Sequence, residues 1–545
     1  MAVFAEAAGA ATTRFDQHGT TLVDGRKVFP IVLAKGPERG TVAPNGVNAL
    51  DEVVDAGVNF FKTGPATRPW WDEDKQDALE WNREAAARGV YTWVNLATLS
   101  DAQPGTRKEE LIREVVTLLE GDPSRSALAM WKGYDEPFWG RRPPVDLQFA
   151  YCIGTSRGDP RWCESYPPAD EEHLWVTIQA PRGTGADLAP YTAVTDIHGV
   201  DHYPVTYAAT DPDLHEVGIW TDTIAGVTPS GAVWTTLQVC ASGSSDPGGS
   251  DRFVLPTRRQ ERYMIYDAIL NGARSLAFYG GNLPRCWNAT DTAHSWNWTF
   301  WDSVLEELVR EINADSPIAP ALVNPGTEQA LPSSDATTQV ISRQGLNASE
   351  LWVIAARSGS GTQAVTISGL PAGIENGTVY TEGRSVPVEN GSFTDTFDRW
   401  DVHVYRFTAP PPSPSPAPPP APSPPPSPPP APPASPPSPG AATPAARQPS
   451  VIIRGLRVPL AQPGRPFRVQ LLFSADAEAI RTLRVACSAR VGNRSARLVK
   501  KAWGRTGASC TWAIPRRSRG KIVRGVMRIT SGGIVRSRRF ALRVR

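Results

Sequence analysis

Between residues 20 and 315, short apolar runs alternate with longer amphipathic stretches. The runs are FPIVLAK (29–35), VNFFKTG (58–64), YTWVNLA (91–97), LAMWKGYDEP (128–137), LWVTIQAP (174–181), DIHGVDHYPV (196–205), AVWTTLQVC (232–240) and SLAFYGGN (275–282). Between them, GVNALDEVVDAG, DALEWNREAAARG, TRKEELIREVVTLLEG and RRQERYMIYDAILNGA carry apolar residues at helical spacing. Nearly continuous apolar runs separated by amphipathic helices predict parallel strands buried on both faces. Eight of them predict an α/β fold closed into a (β/α)8, or TIM, barrel. The doubly wound open sheet is the alternative, but no glycine-rich phosphate loop follows any run.

The pattern changes after residue 315. TQVISR, LWVIAARS, AVTISGL, TVYTEG and VHVYRF alternate apolar and polar residues, which predicts an all-β sandwich over 316–408. Residues 409–449 hold 22 of the 53 prolines. Proline fixes φ and donates no hydrogen bond, so this proline-rich linker reads as an extended spacer; at ~3.1 Å per residue it reaches on the order of 100 Å. From 450 to 545, runs such as FRVQLLFS, RTLRVACSA and VRGVMRIT alternate with period two between frequent turns, predicting a second all-β sandwich.

Charge divides the chain. The net charge of +1 hides 23 Lys and Arg against two acids in 450–545, an excess of 21. That basic sandwich reads as a surface anchor for an anionic cell-surface polymer, since the arginine fork suits phosphate and carboxylate. Nucleic acid would suit it too, but the charges are not gathered in one contiguous block. No apolar stretch is long enough to span a bilayer. Residues 1–19 open with MAVFAEAAGAATTRF, whose small residues resemble the end of a secretory signal without its basic head. Either the chain is cytosolic or this start clips a longer signal. Six cysteines, grouped as Cys152 with Cys163, Cys240 with Cys286 and Cys487 with Cys510, favour disulfides and an extracellular or cell-surface location; reduced buried thiols are the other reading. No cofactor is expected, and no metal, because no His/Cys set has ligand spacing.

The fourth run ends in Asp135, Glu136 and a proline that stops the strand, so both acids belong to the rim where barrel chemistry sits. This stretch resembles the superfamily of retaining β/α-barrel glycoside hydrolases, in which an Asn-Glu-Pro or Asp-Glu-Pro motif ends the fourth strand. The resemblance spans residues 20–408. It implies a secreted hydrolase that cleaves glycosidic bonds in a polysaccharide or glycoconjugate, with Glu136 as general acid. It also implies a glutamate nucleophile ending the seventh strand, where this sequence has Gln238. An amide cannot form a glycosyl ester. Three readings remain open. In one, Asp201 activates water at ~6.5–9.5 Å from Glu136. An Asp-Glu pair also resembles barrel N-acetylhexosaminidases, in which Asp135 would orient a substrate acetamido group. Or the barrel is a non-catalytic carbohydrate-binding or adhesion protein.

Candidate substrate contacts are Tyr203 and Gln238, Asn95 as a hydroxyl partner, Lys62 with Lys35 for an acidic sugar or the carboxylates, Tyr279, and Trp131, Trp139 and Trp234 with Trp93 as stacking platforms. Each tryptophan has core packing as its alternative, and Asn95 a turn. His198 and His202 flank Asp201 without a third metal ligand. The Trp-rich segment 281–303 is expected to be a substrate wall or lid.

Overall fold

The computed structural model describes residues 11–206, 211–240, 254–408, 451–457, 461–475, 483–492, 494–504, 507–531 and 534–544. The first ten residues and the proline-rich linker lie outside the described residues. The chain forms two compact units, 1–416 and 417–545.

All eight apolar runs become strands: β1 Ile31–Leu33, β2 Phe60–Thr63, β3 Tyr91–Asn95, β4 Leu128–Asp135, β5 Leu174–Gln179, β6 Ile197–Asp201, β7 Val233–Gln238 and β8 Leu276–Tyr279. They pair in parallel and close into a barrel, with β8 beside β1. The four helical stretches fold as expected into α1 Ala49–Ala56, α2 Asp72–Ala87, α3 Arg107–Glu120 and α6 Arg258–Leu270, and two further helices, α4 Pro144–Thr155 and α5 Glu216–Ala225, join them. Local signals set their ends. The Asn48 side chain caps α1 by accepting from the Leu50 and Asp51 amides, and Gly57 ends it at φ 117°. A Cβ at Gly57 would come within 2.2 Å of Asn313.

Alternation along the strands sends Phe60, Trp93, Met130, Val176, Ile197 and Trp234 into one buried cluster inside the barrel. Trp93 and Trp234 meet edge to face, 5.4 Å between centroids. Gly199 makes room for this filling, since a Cβ there would lie 2.4 Å from Ile178 Cδ1. A small sheet, Thr13–Phe15, Thr21–Val23 and Arg26–Val28, precedes β1. Its Ala11 and Val23 side join the barrel cluster, and Thr13 Oγ1 donates to Ala129 O at 2.7 Å.

The predicted sandwich follows directly. A six-stranded antiparallel sheet, which includes Thr338–Gln344, Glu350–Arg357 and Val402–Thr408, faces a two-stranded one, Gln363–Ser368 with Ser392–Phe397. The larger sheet packs on α6: Tyr263 meets Trp400 at 4.7 Å, and Trp352, Ile354 and Val404 share a core with Tyr266. The second unit consists of two four-stranded antiparallel sheets around Phe467, Trp512, Met527 and Phe540.

Disulfides join Cys152–Cys163, Cys240–Cys286 and Cys487–Cys510. The last ties one sheet of the second unit to the other. Cys240–Cys286 closes 46 residues at the barrel rim. Cross-links of that span contribute ~2–4 kcal/mol by restricting the unfolded chain. The double variant Cys240→Ser/Cys286→Ser is therefore expected to unfold at lower urea by that amount. An unchanged midpoint would show that the rim is held by packing alone.

Candidate active site

The C-terminal ends of the strands enclose a cavity of about 220 Å³. Its wall includes Lys35, Lys62, Trp93, Lys132, Asp135, Glu136, Asp201, Tyr203, Thr236 and Tyr279. Strand alternation alone would aim Asp135 and Glu136 to opposite sides, yet both line the cavity. Two local departures explain this. The β4–β5 register shifts between Lys132 and Asp135, and Glu136 takes a left-handed φ of 49°, uncommon for a residue with a side chain. The Glu136 amide still donates to Ile178 O at 2.8 Å, which anchors the turn to β5.

The environment separates the neighbouring acids. Burial favours neutral Asp135, but the Lys132 and Lys62 ammonium groups outweigh it and hold the carboxyl down at about 2. Lys132 Nζ donates to Asp135 Oδ1 at 2.6 Å. Asp135 is 60% exposed, so cleft water screens part of that pull. Glu136 goes the other way: burial and then the Asp135 charge raise its pKa. Its carboxyl lies within hydrogen-bonding reach of Asp201. Burial, then the charges of Glu136 and Asp135, push Asp201 well above the ordinary range. Asp201 Oδ1 is buried and meets no donor. Two carboxyls this close cannot both ionise easily, so they share a proton and titrate as a pair.

Tyr203 and Tyr279 stack at 5.8 Å and 18° beside this pair. Lys62 lies over the Trp93 ring at 5.8 Å. Its burial lowers the ammonium pKa to about 7, against the pull of Asp135.

Other candidates lie elsewhere. Gln238 is buried with both amide ends engaged by one residue: Oε1 accepts from Val205 N at 2.9 Å and Nε2 donates to Val205 O at 2.5 Å. Asn95 is the buried last residue of β3, and its side chain donates to Pro65 O and accepts from Ala97 N. Trp131 is fully buried outside the cavity and donates its indole N–H to Asp170. Trp234 is barrel filling. Trp139 is 53% exposed, with the Arg182 guanidinium 3.6 Å from its ring centroid. His198 is buried with neither ring nitrogen partnered, and burial lowers it to about 4; His202 pairs with Glu216 at 3.0 Å. Segment 281–303 is packed: Trp296, Trp298 and Trp301 are buried, and Trp296 Nε1 donates to Lys35 O. Three of its tryptophans form a core, while Trp287 is half-buried and Asn282 lines a hollow beside the cleft.

Sequence reasoning missed Lys132. It lies two residues after Met130, on the same inward parity, and three before Asp135. That spacing was the available signal. Away from the cleft, Glu120, Asp170 and His173 could offer ligand atoms to a metal within 4.8 Å of one another. His173 Nδ1 already bonds Asp170 at 2.7 Å, and the Trp131 indole takes the same carboxylate.

No protein-family model and no curated protein matches the chain. Among solved structures it is similar to a protein described as a glycoside hydrolase, at 12% identity over 74% of this chain and 97% of that one, with a TM-score of 0.48. An α-amylase from Geobacillus thermoleovorans complexed with acarbose is 12% identical over 69% and 98%, at 0.42. CelM2, a bifunctional glucanase-xylanase from a metagenome library, is 10% identical over 74% and 100%, at 0.37. At these identities the likeness is one of fold, and the residues of the cleft carry everything said of chemistry.

Proposed function

We propose that the chain is a secreted carbohydrate-active hydrolase that cleaves glycosidic bonds of a polysaccharide or glycoconjugate, with Glu136 as general acid. The observation that carries this reading is the split between adjacent carboxyls. Asp135 is held ionised by lysines, while the Glu136–Asp201 pair retains a proton. Acid and base assignments follow from such a split. The shared proton passes from Glu136 to the leaving oxygen. Asp135 remains charged beside the sugar, where it stabilises developing positive charge or orients a ring substituent. Asp201 helps to hold that proton beside Glu136. Strand β7 supplies no carboxylate, so water or a group of the substrate attacks, and the proton that water loses returns to the emptied Glu136–Asp201 pair. The test is turnover of a polysaccharide panel by the parent and by Glu136→Gln.

The engaged Gln238 in the nucleophile's place favours a second reading, a barrel that binds sugar without cleaving it. Saturable binding without turnover by the parent would establish that reading.

The second unit supports an anchoring role. Among the described residues, its strand Arg497–Gly504 pairs on one side only, with Gly507–Ala513. That edge exposes Val499 and Trp503 beside Lys500 and Lys501, with Lys501 Nζ 5.3 Å from the Trp503 ring centroid. Cations around an exposed aromatic suit an acidic polymer. The full chain is expected to co-sediment with isolated bacterial cell walls at about 50 mM salt and to dissociate by about 1 M, because exposed charges are then screened within a few ångströms. A chain ending at residue 408 should stay in solution throughout. Sedimentation insensitive to salt, or equal for the two chains, would refute electrostatic anchoring.

A further inference from the structure

Two lysines in the cleft have no carboxylate of their own. Lys132 is paired with Asp135 at 2.6 Å. Lys35 and Lys62 form no ion pair or side-chain hydrogen bond among the described residues. Asp77, the acid that acts on Lys35, is bonded to Arg39 at 2.6 Å. With one proton shared by Glu136 and Asp201, the three carboxyls carry two negative charges, opposed by Lys132, Lys35 and the protonated fraction of Lys62. Lys35 and Lys62 stand where the catalytic cavity meets an adjoining hollow of about 410 Å³, lined also by Thr63, Trp81, the exposed Glu38 and the mutually paired Arg39 and Asp77. Further donors on this wall are unused: Trp93 Nε1 and Thr63 Oγ1 are buried without a partner. The β1–β3 wall thus offers donors and positive charge, while the β4–β6 wall holds the acids.

We infer that the sugar bound across the acids carries an anionic oxygen substituent, a carboxylate as in a uronic acid or a sulfate ester, held by Lys35 and Lys62. This inference rests on the glycoside-hydrolase reading for the place of the sugar, but not on Glu136 acting as acid. An anion beside Lys62 also favours its ammonium form. Lys62 is faced by Asp135, Lys132, Lys35 and Asp201, so an added anion raises its proton affinity and binding above about pH 7 takes up a proton.

The test uses full-length protein carrying Glu136→Gln. Its affinity is measured by calorimetry for oligogalacturonates, glucuronic-acid-bearing xylo-oligosaccharides, sulfated galactan oligosaccharides and neutral cello- and xylo-oligosaccharides of equal length. One acidic class is expected to bind at least about tenfold tighter than the neutral ones, and which class does so separates carboxylate from sulfate. Lys35→Met/Lys62→Met should lose that preference, while Lys62→Arg should retain most of it. Proton uptake, read from buffers of different ionisation heat, checks the parent chain without any lysine variant. Equal affinity for acidic and neutral probes, no binding of any acidic probe, a preference that survives the double variant, or no proton uptake would each overturn the inference. Full turnover by Glu136→Gln with the acidic preference intact would instead refute the general acid alone.

Discussion

Glu136→Gln is expected to lower turnover of a natural glycosidic substrate by about 10²–10⁴-fold, the usual contribution of a positioned general acid. The fold has little reason to change. Glu136 is a half-buried rim residue whose backbone bonds, to Ile178 O and from Gly140 N, do not involve its side chain. An amide of the same shape can still donate to Asp201 but has no proton to pass to a leaving oxygen. The loss should depend on the leaving group. An activated aryl glycoside departs without protonation, so the variant should cleave it at much closer to the parental rate. A uniform loss on both substrate types would point to damaged binding. A variant as fast as the parent on the polysaccharide would remove Glu136 from the chemistry altogether.

Asp135→Asn shifts the alkaline limb of the pH–rate profile to lower pH. The sign follows from charge. After burial, the Asp135 carboxylate is the main influence raising Glu136; without it the Glu136–Asp201 pair releases its proton at lower pH. The acid form that the reaction needs is therefore lost earlier as pH rises. The variant should also be less stable by ~1–3 kcal/mol, because Lys132, whose side chain is 2% exposed, loses its charged partner. The partner's exposure keeps this below the cost of breaking a fully buried pair. Folded Asp135 is held below its ordinary range, so the parent's advantage is present at neutral pH and fades as pH falls toward about 2. Urea melts at pH 7 and pH 3 for both proteins measure this. An alkaline limb that stays in place would show that the two acids are not electrostatically coupled.

Much of the architecture was legible in one dimension. A buried parallel strand needs apolar residues on both faces and a surface helix needs one apolar stripe, so the eight runs and their helices mark the barrel without any contact being known. The proline that follows Glu136 marks the strand end, and hence the rim. The cysteine couples lie close enough in sequence to suggest their partners. Such signals depend on local geometry or on burial, and each residue carries them alone.

What closes the cleft depends on residues far apart in the chain. Sequence could place Asp201 at the end of the sixth strand, but not against Glu136. That approach follows from barrel curvature, the shifted β4–β5 register and one left-handed residue. Trp131 and Trp234, candidates for stacking on sugar, lie in cores because the parity of their strand positions points them to the helix layer and the barrel interior. Gln238 is committed by the loop after β6, whose Val205 backbone takes both ends of its amide. Residue type alone showed that the β7 end lacks a nucleophile. Only the tertiary structure decided which carboxyls share a proton and which lysines are left to hold a charge, because both follow from distances of a few ångströms between strands that the sequence keeps tens of residues apart.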